Sequence, residues 1–170
     1  MIGAILLLGF VTVERLAELV LARCNTARLL GRGAVEFASE HYRLVVALHA
    51  IWLGGLWVIA WNRPIVWGWL ALFAALQGLR VWVLATLGQR WTTRIIILPG
   101  APLVTSGPYR FLKHPNYAVV VGEIAVLPLV FGLPLYALAF SILNVIVLYI
   151  RISAENVALK GASDTPQQRG

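Results

Sequence analysis

The chain has 170 residues, of which 60% are hydrophobic and only 12% are charged. A water-soluble domain usually carries about twice that charged fraction, so the composition argues against an ordinary soluble protein and indicates one that is integral to a membrane. The net charge of +7 is explained better by anionic lipid and membrane topology than by nucleic acid, because no surface of interleaved basic and aromatic residues occurs. We therefore expect membrane lipid, and no nucleic acid, as a partner.

Five apolar stretches are predicted to be transmembrane helices, each of which needs about 20 mainly apolar residues. The first contains charges and lacks a small-residue cleavage site, which favours a retained helix over a signal peptide. The fourth is short and carries Glu123 and Pro128. The sequence thus predicts an all-α integral membrane fold of about five transmembrane helices, with a long loop between the third and the fourth. The stretches cover residues 2–22, 44–61, 64–87, 117–130 and 133–149.

Basic residues are distributed unevenly over the predicted connections. With the N-terminus outside, the outer connections hold only Arg63, and eleven of the 14 Lys and Arg residues lie on the opposite side. Cytoplasmic loops of membrane proteins are enriched in positive charge. We therefore predict an outside N-terminus, a cytoplasmic C-terminus and a cytoplasmic long loop. The eleven residues are Arg23, Arg28, Arg32, Arg43, Arg90, Arg94, Arg110, Lys113, Arg151, Lys160 and Arg169.

Ionisable residues also occur inside the apolar stretches. Glu14, Arg15 and Glu18 are spaced to meet on one face of the first helix, so mutual neutralisation within the helix bundle explains them. Ionisable side chains at membrane depth usually face a partner or a cavity, and we expect Arg80 to pair with Glu123. The connection 23–42 is amphipathic enough to contain a short interfacial helix.

Several kinds of enzyme site are missing from the sequence. It has no Gly-x-Gly-x-x-Gly after a strand, no phosphate-binding loop and no His-x-x-x-His box of the kind that membrane di-iron enzymes use. The single cysteine, Cys24, excludes a cysteine cluster, and no carboxylate is suitably spaced from His41 and His49. We expect no metal site. A nucleotide-like cofactor would have to be held by the long loop and the ends of two helices.

The densest polar stretch is the run 106–117, which ends the 29-residue connection 88–116. Connections of that length are uncommon in compact proteins unless they carry function. Pro115 is expected at the start of a helix, where unpaired N–H groups favour an anion, and His114 either contributes to that site or only caps the helix. With the aromatic faces of Tyr109 and Tyr117, the run predicts a site for a charged aromatic ligand.

A second polar pair follows the fifth apolar stretch. Arg151 and Glu155 are four residues apart, so they share one face of a helix where it leaves the membrane. One interpretation is a surface ion pair with snorkelling side chains. The other is a functional pair, in which the arginine binds an anion and the carboxylate binds a hydroxyl or an amine.

These motifs together resemble the isoprenylcysteine carboxyl methyltransferase family, in its bacterial branch. The matching segments are Leu-Val-Thr-Ser-Gly-Pro-Tyr at 103–109, His-Pro-Asn-Tyr at 114–117 and Arg-Ile-Ser-Ala-Glu at 151–155. The resemblance implies an integral-membrane methyltransferase that uses S-adenosylmethionine, in the cytoplasmic membrane of a bacterium. It also implies one transmembrane methyltransferase domain at 1–160, whose part 88–160 binds the cofactor. We expect the small, polar residues 161–170 to form a disordered tail.

The resemblance further implies roles for single residues. Arg151 matches the arginine that addresses the methyl acceptor and is the catalytic candidate. Lys113 stands where the family usually has arginine, Asn156 replaces the second acid of a Glu-Glu pair, and Arg94 is near a glutamine cofactor contact of the eukaryotic enzymes. The residues that match cofactor-binding positions are Ala101, Pro102, Leu103, Val104, Tyr109, His114, Pro115, Asn116, Tyr117 and Glu155.

The chemistry of the transfer favours an anionic acceptor. Methyl transfer from a sulfonium is an in-line displacement, and an acceptor that is already an anion needs no general base. This favours O-methylation over phospholipid N-methylation, which remains an alternative. The resemblance implies a polar head on a hydrocarbon tail, either a prenylcysteine-like carboxylate or the hydroxyl of an alkylpyrone or alkylresorcinol, at the cytoplasmic membrane face. A second alternative is a catalytically silent membrane protein of the same fold.

Overall fold

The computed structural model describes residues 1–37 and 39–163, together with the side chains of residues 1–37 and 42–154. Five α-helices and two short strands occur in these residues. The 3₁₀ turns Gly88–Arg90 and Gly107–Arg110 lie in the long connection. The helices are α1 (Ile2–Leu30), α2 (Ser39–Ile59), α3 (Trp67–Leu87), α4 (Pro115–Val130) and α5 (Pro134–Ser163), and the strands are β1 (Val35–Phe37) and β2 (Ile95–Ile97).

The helices confirm the predicted all-α membrane fold, and each of the five predicted stretches lies largely within one helix. Three segments of the described chain are long and apolar enough to cross a membrane: Tyr42–Ile59, Trp67–Arg90 and Pro134–Ala154. Helix α4 has only 16 residues. Helix α1 has 29 residues, but its acidic and basic side chains interrupt the apolar run. The number of complete membrane crossings stays a prediction.

Two helices are longer than the apolar stretches that predicted them. Helix α1 continues from residue 22 to Leu30, through alanine, arginine and leucine residues that favour helix, so the expected interfacial helix is instead the end of α1. Helix α5 continues to Ser163, three residues into the predicted tail, and residues 164–170 lie outside the described residues. The predicted stretches were too short because hydropathy identifies only the apolar part of a helix, whereas the hydrogen bonding of the helix backbone continues into the polar sequence beyond it.

The interior of the bundle is formed by side chains from four helices. Leu8 of α1, Trp52 of α2, Phe73 of α3 and Leu127 of α4 are almost completely buried and belong to one apolar cluster. Helices α3 and α4 approach closely beside Gly122, where a side-chain carbon would lie 2.8 Å from Leu76 Cδ2. Small residues permit such close packing between membrane helices.

A cluster of charges joins three helices at membrane depth. Glu123 of α4 is 2% exposed and accepts hydrogen bonds from Arg15 of α1 at 2.9 Å and from Arg80 of α3 at 3.0 Å. The predicted pairing of Arg80 with Glu123 is confirmed. Gln77 of α3 donates to the same carboxylate at 2.9 Å. Glu18 forms ion pairs with Arg15 at 2.7 Å and with Arg80 at 3.1 Å, so each guanidinium contacts both Glu18 and Glu123.

Replacing Glu123 by glutamine is expected to destabilise the protein by about 3 kcal/mol. Removing one partner of a buried ion pair costs about 3–5 kcal/mol, because the other charge stays buried. The lower end applies here, since Glu18 still neutralises part of the charge of both arginines. Denaturant unfolding in detergent micelles measures the change. The control is Glu36→Gln, which removes a partly exposed partner of Arg94 and should cost about 0–1 kcal/mol. Equal effects of the two substitutions would contradict the central role of Glu123.

Candidate active site

The connection after α3 is held in place by a buried asparagine of α1. Asn25 is 2% exposed, and its Nδ2 donates to the carbonyl oxygens of Gly88 at 3.1 Å and Trp91 at 2.9 Å. Gly88 has a φ of +51°, a conformation that glycine adopts without steric cost. The chain therefore reverses at the end of α3 in a defined position. Sequence reasoning missed Asn25, because nothing in its local pattern indicates a partner more than 60 residues away.

A small sheet forms one side of the site. Strand β2 pairs antiparallel with β1, with Val35 opposite Ile97 and Phe37 opposite Ile95. Arg94, directly before β2, donates from Nη1 to both carboxylate oxygens of Glu36 at 3.0 Å. The sheet attaches the connection that follows α1 to the connection that follows α3, and it places three isoleucines against the site.

The segment before α4 packs on the end of α3. Arg90 donates to the carbonyl oxygen of Pro102 at 2.6 Å and so holds the segment 101–104. Gly107 has a φ of +57°, and a side-chain carbon there would collide with the side chain of Thr86. Pro108 is buried in the following 3₁₀ turn. Only glycine at 107 allows the run 106–110 to lie against α3.

The start of α4 carries the His-Pro-Asn-Tyr motif. His114 occupies the N-cap position, but its side chain makes no capping hydrogen bond, so capping does not account for it. Its ring instead lies 5.5 Å from the ring of Tyr117, centroid to centroid. Pro115 is the first helical residue and is buried. The motif therefore presents two adjacent aromatic rings beside the first turn of α4.

Arg151 connects α5 to this motif. It is 8% exposed, its Nε donates to Tyr117 Oη at 3.0 Å, and its Nη2 donates to the carbonyl oxygen of Thr93 at 2.8 Å. Because Arg151 is buried, an exposed ion pair does not describe it. Its Nη1 makes no hydrogen bond within the part of the chain whose side chains are described. Glu155 follows one turn later on α5, and its side chain lies outside the described residues.

These segments surround a cavity of about 330 Å³. It brings together most of the residues that the sequence predicted for the site, from three separate segments of the chain. Of the eleven predicted residues, Pro115 is buried and does not line the cavity, and the side chain of Glu155 lies outside the described residues. The nine that line the cavity are Ala101, Pro102, Leu103, Val104, Tyr109, His114, Asn116, Tyr117 and Arg151.

The cavity combines apolar walls with positive charge. Isoleucines of β2 and several leucines form its walls, and no aspartate or glutamate occurs among the described residues that line it. Arg90, Lys113 and Arg151 contribute cationic groups. The charge of Arg94 is offset by Glu36, and its guanidinium lies 4.8 Å from the centre of the Tyr42 ring. The lining suits a ligand with an apolar or aromatic body and an anionic group.

The lining also contains residues that sequence reasoning did not select. Trp91, Thr92 and Leu29 line the cavity, and the carbonyl oxygen of Thr93 holds Arg151. Leu29 comes from the extension of α1 beyond the predicted stretch. A signal for Trp91 existed in its position soon after the third apolar stretch, where an aromatic residue lies in the polar connection.

Comparisons with known proteins agree with this picture. The sequence profile of the isoprenylcysteine carboxyl methyltransferase (ICMT) family matches residues 69–161, more than half of the chain. The uncharacterized protein YpbQ of Bacillus subtilis (strain 168) is 39% identical over 161 residues, which cover 91% of this chain and 95% of that protein. No solved structure gives a significant match.

Proposed function

Because the chain belongs to the isoprenylcysteine carboxyl methyltransferase family, we propose that it is a membrane methyltransferase that uses S-adenosylmethionine to O-methylate a lipophilic, anionic acceptor. One observation carries the proposal. Two of the segments that resemble the family's motifs lie within residues 101–117 and the third begins at Arg151 on α5, and residues of all three line one cavity of about 330 Å³. Small-molecule sites in proteins usually have volumes of about 300–1,000 Å³.

The chemistry of the lining suits S-adenosylmethionine. The apolar walls and the ring of Tyr109 offer surfaces for a purine and a ribose, while Lys113 and His114 offer donors for the carboxylate of the methionine moiety. A carboxylate partner for its amino group is the role proposed for Glu155. When bound, this cofactor supplies a methyl group activated by a positively charged sulfur.

Arg151 is proposed to hold the acceptor. Two of its nitrogens are engaged by Tyr117 and Thr93, which fix the plane of the guanidinium. The remaining Nη1 is available, within the described residues, for an anionic oxygen of the acceptor. A guanidinium oriented in advance loses little conformational entropy when it binds, so it aligns the acceptor at small cost. Its buried position also keeps water away from the reacting groups.

The cavity lining favours a methyl acceptor that is already deprotonated when it binds. Among the described lining residues His114 is the candidate base, and the carboxylate of Glu155 is proposed above to bind the amino group of the cofactor. An amine must first be deprotonated, whereas a carboxylate or enolate needs no such step. We therefore propose O-methylation ahead of phospholipid N-methylation. The acceptor class is a polar head on a hydrocarbon tail, such as a prenylcysteine carboxylate or an alkylpyrone hydroxyl, which reaches the site from the lipid.

Cofactor binding is the first test of the proposal. Purified protein in detergent should bind S-adenosylhomocysteine in a calorimetric titration, and His114→Ala should weaken that binding more than tenfold, or by about 1.4 kcal/mol. Arg110→Ala is the matched control, because Arg110 belongs to the same basic run, is exposed and does not line the cavity. A wild-type protein that binds neither S-adenosylmethionine nor S-adenosylhomocysteine would support the catalytically silent alternative.

Arg151→Lys tests the assignment of the acceptor. Lysine keeps the charge but loses the planar fork, so turnover should fall about 100-fold or more, equivalent to roughly 3 kcal/mol. S-adenosylhomocysteine affinity should stay within about threefold of wild type, because the proposed contact is with the acceptor. Transfer of a radiolabelled methyl group to N-acetyl-S-farnesylcysteine and to a long-chain alkylpyrone measures turnover. A parallel loss of cofactor affinity and turnover would instead assign Arg151 to the cofactor or to the support of the cavity through Tyr117 and Thr93.

The proposed orientation places the N-terminus outside, and the cavity and C-terminus in the cytoplasm. We expect an impermeant thiol reagent to label Arg63→Cys in intact cells and to label Lys160→Cys only after the membrane is opened. The native Cys24 is replaced by serine in both variants, and the Cys24→Ser chain without a new cysteine is the control. The reverse labelling pattern contradicts the orientation that the basic residues predict.

A further inference from the structure

The turn 107–112 lies along the side of α3 and not beyond its end. Gly107 lies directly against the side chain of Thr86. The ring of Phe111 is 6.5 Å from the ring of Trp82, centroid to centroid. Thr86 and Trp82 are about one helical turn apart, and Trp82 is the nearer of the two to the middle of α3. Between Gly107 and Phe111 the chain therefore runs back along α3, from the end of that helix toward its middle.

The contact with Trp82 gives the depth of the turn in the membrane. Trp82 belongs to the segment Trp67–Arg90, which is long and apolar enough to cross a membrane. It lies five residues before Leu87, the last residue of α3, which is about 7–8 Å along the helix axis. The head-group layer of a bilayer is only about 5–8 Å thick on each side, so Trp82 lies at or below the boundary between head groups and acyl chains. Phe111, which packs beside it, lies at a similar depth.

The tip of the turn presents apolar side chains outward. Phe111 is 76% exposed and Leu112 is 46% exposed. On the adjacent part of α3, Trp82 is 47% exposed and Val81 is 63% exposed. Moving one large apolar side chain from water into an apolar environment is worth about 1.5–3 kcal/mol. Because the apolar surface continues from the turn onto a membrane helix, lipid is the partner that fits it.

The backbone and the charge of the turn suit a shallow position in lipid. Phe111 and Leu112 both donate their backbone N–H to the carbonyl oxygen of Pro108, at 3.2 and 3.1 Å. Lipid offers no hydrogen-bond partners, so such pairing favours insertion. Arg110, directly before Phe111, is exposed. Its long side chain allows the guanidinium to stay at the level of the lipid phosphates, where anionic lipids attract it.

We propose that the turn 107–112 is inserted in the membrane, with Phe111 and Leu112 in lipid beside α3 and Arg110 on the phosphate group of an anionic phospholipid. The inference goes beyond the proposed function and depends neither on methyl transfer nor on the side of the membrane that the cavity faces. It places in the bilayer a part of the connection that the sequence predicts to be cytoplasmic. Lys113 and His114 follow directly and line the cavity, so the inserted turn also holds one wall of the cavity at the lipid surface.

Fluorescence quenching in lipid vesicles tests the insertion. A bimane label is attached to Phe111→Cys, in a chain whose Cys24 is replaced by serine, in vesicles of phosphatidylcholine and phosphatidylglycerol. We expect quenching by a phosphatidylcholine that carries a doxyl group near the head of an acyl chain. Iodide, present on both sides of the membrane, should quench this label about fivefold less than a label on Thr105→Cys. Thr105 is the matched control, because it is exposed on the same connection before the turn reaches α3.

The two quenchers together distinguish lipid from water and from protein. Equal quenching by iodide of the labels on Phe111→Cys and Thr105→Cys would place the turn in water and overturn the inference. A label on Phe111→Cys that neither iodide nor the doxyl lipid quenches would mean that protein, such as a second copy of the chain, covers the turn, and this too would overturn it. Leu112→Cys carries the same expectation, so the result does not depend on the folding of one variant.

Arg110→Gln tests the contact with the lipid phosphate. In the Phe111→Cys chain, this substitution should lower the quenching by the doxyl lipid in vesicles that contain phosphatidylglycerol. It should have a smaller effect in vesicles of phosphatidylcholine alone, which have no net negative charge. The same quenching with and without the arginine in both kinds of vesicle would refute the role of Arg110.

Discussion

The carboxylate of Glu123 is the interaction on which the arrangement of the bundle depends. Ionisable groups at membrane depth are costly unless they are paired, and here one carboxylate serves an arginine from α1 and an arginine from α3. The pairing sets the register of three helices at once. On α1, α3 and α4, the charged residue of the cluster lies six to eight positions along the chain from a residue at or beside the cavity. The pairs are Glu18 and Asn25, Arg80 and Gly88, and Glu123 and Tyr117. At about 1.5 Å per residue, this separation is roughly 9–12 Å. The neutralised cluster therefore holds the ends of three helices at a common level around the cavity.

Arg151 provides the corresponding constraint from α5. Its hydrogen bonds to Tyr117 and to the carbonyl oxygen of Thr93 join the last helix to the first turn of α4 and to the long connection. The residue proposed to hold the acceptor thus also holds the cavity together. Loss of activity alone would not distinguish the two roles, whereas a substitution that separates cofactor affinity from turnover does.

The structure shows which contacts are made by two residues, Arg94 and Lys113, at which the sequence departs from the family pattern. Arg94, which the resemblance matches to a position near a glutamine cofactor contact of the eukaryotic enzymes, forms a two-oxygen ion pair with Glu36 and lies over the ring of Tyr42. Its charge is used to attach β2 to the connection after α1. Lys113, which the resemblance matches to a position where the family usually has arginine, lines the cavity and is also positively charged. Neither change removes the basic character of the site, which is the property that an anionic acceptor and a methionine carboxylate require.

The membrane class, the approximate positions of the five helices and nine of the residues that line the cavity could be predicted from the sequence. Apolar run length reports on membrane helices directly, and residues 101–117 lie close enough along the chain for their motifs to predict one site. The pairing of Arg80 with Glu123 was also predictable, because a buried charge requires an opposite charge. Only the tertiary structure decided the pairing of β1 with β2, the two hydrogen bonds from Asn25 and the position of Trp91 in the wall. Each of these features brings together residues that are about 60 positions apart in the sequence. Such contacts depend on how whole helices pack against one another, and local periodicity and helix propensity do not determine that packing. The extension of α1 to Leu30 is favoured by the helix propensity of its residues, is held further by the hydrogen bonds from Asn25 to the connection after α3, and is not required by hydropathy.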